Sequence, residues 1–199
     1  MKADPAGLNK GRQPDTGPKA NPFGKLVRIL TLLALGVELL VPAWAVGAGP
    51  TPGRHRLDQS GRMHISPEDR CPVCGMKVIK YPKFAAAIQL TDGTTFYFCS
   101  AGCMIRTWLH PEIFIACSRT ELLKAVVREY FSGRTLDARS VVWVAGSDVI
   151  GPMGPAVVPL KDKTALETFL SRHGGGETFD LDELTDERWT AITGKKAGR

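Results

Sequence analysis

The chain lacks the patterns on which most enzymes and nucleic-acid binders are built. It shows no Ser/His/Asp or paired-carboxylate constellation and no glycine-rich phosphate cradle. Histidine is scarce, at four residues: His55 and His64 lie in a linker-like stretch, His110 precedes a proline and His173 precedes a glycine run. Each reads as a surface or capping residue, with His64 a reserve ligand because of its closeness to the cysteines. A basic stripe is also missing. The formal charge is +6, but Lys2, Lys10, Arg12, Lys19, Lys25 and Arg28 against Asp4, Asp15 and Glu38 place half of it in the first 45 residues. In the remainder the two signs are interspersed, which argues against nucleic acid as a partner. These absences lead to the expectation of a protein that is not an enzyme.

An apolar run of the roughly 20 residues that span a bilayer is absent as well. The run that does occur, Ile29–Val41, is shorter and interrupted by Glu38. It follows a basic, Pro/Gly-rich stretch and precedes Pro42 and Ala43-Trp44-Ala45, the order of a signal peptide with a small-residue cleavage site. Residues 1–45 are therefore expected to be a signal peptide or an uncleaved N-terminal anchor, and the rest exported to the periplasm or another extracytoplasmic space. Membrane association is expected only if the leader stays attached. Cysteine is absent before Cys71, so anchoring through a lipidated leader cysteine is not expected.

Residues 46–65, rich in Gly and Pro, read as a linker. Over the whole chain a hydrophobic content of 43% suffices for a core. Ser66–Asp69 resembles a short helical turn. Phe84–Leu90 and Thr94–Phe98 read as strands around a hairpin at Asp92-Gly93. Ser100 is a helix cap for AGCMIRTWL, which His110-Pro111 stops. Glu121–Phe131 has helical spacing. The second half repeats the rhythm: strand Ser140–Ala145, loop Gly146–Gly154, strand Ala156–Leu160 and helix Thr164–His173, with Gly174-Gly175-Gly176 at its end. A last helix is expected over Asp182–Thr193. The division is thus a first half over 66–135 and a second over 136–194.

Chemistry concentrates in the sulfur residues. Five cysteines (Cys71, Cys74, Cys99, Cys103 and Cys117) all follow the leader, and an odd number leaves one thiol unpaired in an oxidising compartment. Cys71-x2-Cys74 has redox-motif spacing, but the strand before it and the long helix after it that a thioredoxin-like site needs are missing. Cys71-x2-Cys74 and Cys99-x3-Cys103, joined by a hairpin, offer four thiolates to a tetrahedral Zn(II), as in treble-clef knuckles. Zinc leaves the methionines unexplained, since thioether sulfur suits Cu(I). Cys74-Gly75-Met76 places a thiolate and a thioether two residues apart, on one face if the backbone is extended. Met153, in Gly151-Pro152-Met153-Gly154, is a second glycine-framed methionine. Met104 reads as core, and Met63 as part of an unstructured approach.

DRCPVCGMKV, YPKFAAAIQ, FYFCS, LDARSVVWVAGSDVIGPMGP and FLSRHGGGETFDLDEL, in order from about Glu68 to Leu184, resemble the NosL family of nitrous-oxide-reductase accessory proteins. The resemblance implies an α+β fold of two similar ββαβ-type halves, related to organomercurial lyase. It implies a copper-binding metallochaperone that delivers Cu(I) to periplasmic nitrous oxide reductase or a similar copper enzyme, with that enzyme as the partner and its membrane assembly machinery a further candidate. The Cys-Gly-Met motif falls on Cys74 and Met76, and the Met-Gly loop on Met153. Cys71 is the alternative thiolate, with Cys99 and Cys103 secondary. Cys103 is not part of the family pattern. It keeps open the alternative of a zinc-binding, treble-clef-like module with a structural or interaction role. An organomercurial lyase activity would rest on fold analogy alone.

Overall fold

Two hairpins, each followed by a helix and a returning strand, organise the molecule. The computed structural model describes residues 55–199, so the expected leader over 1–45 lies outside the described residues. Strands β1 (Ala86–Leu90) and β2 (Thr95–Phe98) pair antiparallel. Asp92 Oδ1 accepts a 2.7 Å hydrogen bond from Thr94 N, and Gly93 adopts φ +86°, which an L side chain would strain. The hairpin forms where Asp92-Gly93 places it. On the other edge of β1 lies β3 (Leu122–Arg128), which also pairs with β4 (Thr135–Asp137), giving the order β2-β1-β3-β4.

Helix α1 (Ala101–Leu109) starts directly after β2, and Ser100 Oγ caps it by accepting from Cys103 N at 3.2 Å. Seven of its nine residues are buried, among them Met104, Ile105 and Trp108. Burial of such side chains contributes about 1.5–3 kcal/mol each. The helix stops at His110, and Pro111 opens the short α2 (Pro111–Phe114).

The second half repeats the plan. Strands β5 (Val142–Ala145) and β8 (Val158–Leu160) pair, α3 (Lys163–His173) follows, and β9 (Glu177–Phe179) returns beside β5. The order β8-β5-β9 matches β2-β1-β3, so the α+β fold consists of two ββαβ halves. A small hairpin of β6 (Ile150–Gly151) and β7 (Gly154–Pro155) interrupts the β5–β8 connection, and α4 (Asp186–Thr193) ends the chain's regular structure. One core crosses both halves. Buried Trp143 stacks on Phe179 at 6.0 Å between ring centroids and donates from Nε1 to Ala138 O. A smaller cluster, Val144, Val158, Leu160, Ala165 and Phe169, sits under α3. Among the described residues no helix is long and apolar enough to cross a membrane.

Several sequence expectations give way to tertiary structure. Glu121–Phe131, read as helical, is the central strand β3. Its Glu, Leu, Lys and Ala favour helix, but Ala125, Val126 and Val127 are buried between β1 and β4, and the pairing on both edges decides. Ser66–Asp69 forms turns only, with Ser66 N donating to Asp69 Oδ2 at 2.7 Å. The expected helix Asp182–Thr193 is split. A single 3-10 turn, Leu181–Glu183, precedes α4, whose cap is Thr185. Met63, expected in an unstructured approach, is buried in the main core.

Candidate metal centre

The site is built from two tight backbone features. In the first, the chain from Cys71 to Met76 closes on itself: Gly75 N donates to Cys71 O at 2.8 Å and Cys71 N to Met76 O at 2.9 Å. An isolated antiparallel bridge between Arg70 and Lys77 fastens the mouth of the loop. Gly75 sits at φ +72°, where a side chain would be strained, so the glycine is needed for the turn itself. The second feature is the β2–α1 junction. Cys99 leaves the end of β2, and Cys103 lies in the first turn of α1, held there by the Ser100 cap.

Together they bring four sulfurs to one place. The Sγ atoms of Cys71, Cys74, Cys99 and Cys103 all lie within 4.8 Å of one another. Cys74 and Cys99 are 3.4 Å apart, and Cys99 and Cys103 3.9 Å. Cys71, Cys99 and Cys103 are buried, and Cys74 alone is half-exposed, so the cluster opens to solvent on the Cys74 side.

Contact among the thiols divides their protons unequally. The S–H groups of Cys103, Cys71 and Cys99 donate toward the Cys74 sulfur, as does the backbone N–H of Met76, and they hold Cys74 far below the ordinary thiol range. Cys71 is also lowered, first by Cys103, with the Cys99 backbone N–H assisting. Cys99 and Cys103 are pushed up: Cys103 acts first on Cys99, and Cys71 first on Cys103. Cys74, the half-exposed sulfur, is therefore the member of the cluster that gives up its proton most readily. Nearby Asp69 is buried, and desolvation raises its carboxyl above the usual range.

The methionines are placed differently. The chain turns at Gly75, so the extended geometry imagined for Cys74 and Met76 does not occur. Met76 is half-buried against the main core, with its amide directed at the Cys74 sulfur. Met153 lies at the β6–β7 turn, 39% exposed, and its carbonyl accepts from Lys195 Nζ at 3.3 Å. It faces a cavity of about 330 Å³ whose lining also includes Gly102, Cys103, Trp189 and Lys195. Met104 is core, as expected. Cys117 is half-buried and lies outside the four-sulfur group. His64, the reserve ligand, approaches Asp58 at 3.7 Å instead, while His110 and His173 bond Asp186 and Asp148.

Sequence reasoning ranked Cys99 and Cys103 second. The signal that could have raised them was the helix cap between them, which fixes both in one turn. The cavity residues Trp189 and Lys195 had no such signal.

Comparison with known proteins places this architecture. The family model NosL matches residues 62–189, well over half of the chain. The chain belongs to the NosL family. The copper-binding lipoprotein NosL of Stutzerimonas stutzeri is 26% identical over 110 residues, covering 54% of this chain and 57% of that protein, so the match spans little more than half of the relative's length. The crystal structure of the copper chaperone NosL from Shewanella denitrificans superposes with a TM-score of 0.55 at 21% identity, over 63% of this chain and 96% of that one. At that identity it supports the NosL fold alone. The solution structure of apo-NosL from Achromobacter cycloclastes shares 22% identity over 52% of this chain and 86% of its own, with a TM-score of 0.39.

Proposed function

We propose that this NosL-family chain is an exported, non-enzymatic carrier of Cu(I), which is its cargo. The observation that carries the reading is the convergence of four cysteine sulfurs, of which only Cys74, beside Met76, is half-exposed. Soft thiolate and thioether donors favour Cu(I) over harder ions. A ligand at the rim suits cargo that must leave, because an incoming donor can reach the ion without unfolding the site. The names of the relatives, a copper-binding lipoprotein and a copper chaperone, support the same reading and a location outside the cytoplasm.

In this proposal Cys74 and Met76 are the primary ligands, Cys71 is the alternative thiolate, and Met153 closes the site from the second half. Cys99 and Cys103 serve as secondary donors. The lowered proton affinity of Cys74 and Cys71 weakens the competition of protons with a soft cation for those sulfurs. The receiving partner is a copper enzyme of the same compartment, nitrous oxide reductase or one like it, with its membrane assembly machinery a further candidate.

Cu(I) titration of the reduced protein against a chromophoric competitor tests the reading. Cys74→Ser is expected to abolish tight binding. Met76→Ala and Met153→Ala are each expected to weaken it by about tenfold or more, the equivalent of roughly 1.4 kcal/mol. Unchanged affinity in both methionine variants would remove the thioethers from the site.

A further inference from the structure

Two of the four converging cysteines, Cys99 and Cys103, are only secondary to the copper reading, although their sulfurs are among the most deeply placed in the cluster. Burial is complete for Cys71 and Cys99, and Cys103 is 2% exposed. Buried sulfurs cannot meet an incoming protein donor, so cargo transfer does not explain their position.

We propose that Cys71, Cys74, Cys99 and Cys103 form a closed tetrathiolate centre that holds one Zn(II) ion and fastens the segment before β1 to the first sheet. The proposal goes beyond the copper reading and does not rest on it.

The first argument is geometric. A tetrahedral zinc with Zn–S of about 2.3 Å has sulfur–sulfur edges of about 3.8 Å. The Cys74–Cys99 and Cys99–Cys103 separations, 3.4 and 3.9 Å, bracket that edge, and the 4.8 Å spread of the whole set needs only small side-chain rotations to meet it. The second is connectivity. Two ligands come from a glycine-turned loop and two from a capped helix start, so neither pair needs backbone rearrangement to bind. Closed four-cysteine sets with one pair on each of two such elements are structural zinc sites, whereas Cu(I) takes fewer ligands and leaves thiolates over.

The third argument is mechanical. Residues 55–83 hold only the Arg70–Lys77 bridge and the 3-10 turn Val78–Lys80 as regular structure, yet Asp69, Cys71 and Val78 are buried against the core. Tyr97 pins the start of this segment, donating to His55 O at 2.8 Å and accepting from His64 N at 3.2 Å. The four-sulfur cluster is a second contact, in the middle of the segment, with Val78 packed on the core beyond it. A metal there would contribute folding free energy directly, as in small zinc modules. Charge is also accommodated. Four thiolates around one divalent ion carry −2, and they lie at the N-terminal end of α1, with the amides of Met76 and Cys99 directed at two of the sulfurs. Zinc binding displaces the thiol protons to solvent. Copper, where it binds, competes for Cys74.

The test uses the full chain, produced without added copper and purified without a metal column. Elemental analysis is expected to give one zinc per chain. Cobalt(II) loaded in its place is expected to give the visible spectrum of a tetrahedral tetrathiolate. Cys103→Ser should reduce zinc affinity by more than the roughly 10–100-fold cost of losing an outer-shell partner, and weaken the sulfur-to-cobalt charge-transfer band. Protein without zinc and without a tetrahedral cobalt spectrum overturns the proposal, as does wild-type zinc affinity in Cys103→Ser. Should that variant fold poorly, hydrogen exchange on the wild type decides. Zinc added to the metal-free protein must raise protection of the amides of Cys71, Gly75 and Val78, and no change sinks the idea. Met76→Ala separates the two metal readings. Retained zinc with weakened Cu(I) supports both, whereas retained zinc with unchanged Cu(I) counts against the copper ligands only.

Discussion

The two halves of the molecule share one plan and differ at the point where the plan could hold a metal. In each, a hairpin leads through one residue and an N-cap into a helix. Phe98, Cys99, Ser100 and then α1 correspond to Leu160, Lys161, Asp162 and then α3. Both caps accept from the backbone N–H three residues on, Cys103 N in one case and Ala165 N in the other. Cys99 and Cys103 therefore stand where the second half has Lys161 and Ala165. The same backbone turn supports a sulfur pair in one half and an ordinary capped helix in the other. The fold provides the position, and two side chains decide whether it is a metal site. A second difference completes the contrast. The first half is preceded by the Cys71–Met76 loop, whereas the second is reached directly from β4 and carries Met153 on the β6–β7 hairpin.

Giving the first half the second half's character is expected to have the largest effect. The double variant Cys99→Ser, Cys103→Ala keeps the Ser100 cap but removes two of four sulfurs. It is expected to lose retained metal altogether, forfeiting a large share of the roughly 10–16 kcal/mol typical of structural zinc. Metal content by mass spectrometry under non-denaturing conditions checks it. Metal retained at wild-type stoichiometry would mean that the β2–α1 junction is not part of the site.

Phe169→Ala strikes the second half where it has no counterpart in chemistry. Phe169 is fully buried in the small cluster under α3 and packs edge-on to Tyr130 at 5.0 Å. Its truncation is expected to cost about 3–5 kcal/mol in denaturant unfolding. Metal stoichiometry under native conditions should survive, because none of the four cysteines belongs to that cluster. Parallel loss of both would show that the halves do not act separately.

The caps give a smaller and more symmetrical comparison. Ser100→Ala and Asp162→Ala each remove the hydrogen bond to the third helical residue, 3.2 and 2.8 Å long, and each is expected to cost about 0.5–2 kcal/mol. Only Ser100→Ala should also weaken metal binding, since only that cap positions a sulfur. Equal effects of the two on metal affinity would contradict the assignment.

How much of this was legible in the residues follows the same division. The first hairpin, both helices and the Ser100 cap were readable because their signals are local: Asp92-Gly93, Ser100 before an apolar run, a glycine run after His173, whereas the Asp162 cap of α3 was not read. Nor was the third strand of each half. β3 carries two Leu, Lys and Ala, all tolerant of helix, and becomes a strand only because β1 and β4 take up its edges. β9 is three residues long with one buried side chain, too short for any period to show. The four-cysteine cluster was legible in kind, as two cysteine pairs at ligand spacing. Its ranking was not, because the convergence of Cys99 and Cys103 with Cys71 and Cys74 is a property of the folded hairpin. The left-handed Gly75 likewise replaced an extended Cys74-Gly75-Met76 with a turn.

The smallest effect concerns a link between the halves. His110, at the end of α1, bonds Asp186 Oδ1 through Nε2 at 2.7 Å, and Asp186 opens α4. The Asp186 carboxylate is the first cause of a raised His110 pKa, with Glu112 adding to it against partial desolvation. A group whose pKa is higher in the folded state stabilises fully below its unfolded value, near 6.5, and loses that contribution as pH rises through the folded value. The link should therefore stabilise the protein at pH 6 and fade through the range above 6.5. Both partners are partly exposed, so solvent screening keeps the expected difference between wild type and His110→Gln to about 1 kcal/mol or less. Urea midpoints of the two proteins compared from pH 5.5 to 8.5 measure it. Convergence toward high pH fits the link, whereas a gap that widens with pH would assign His110 a packing role instead.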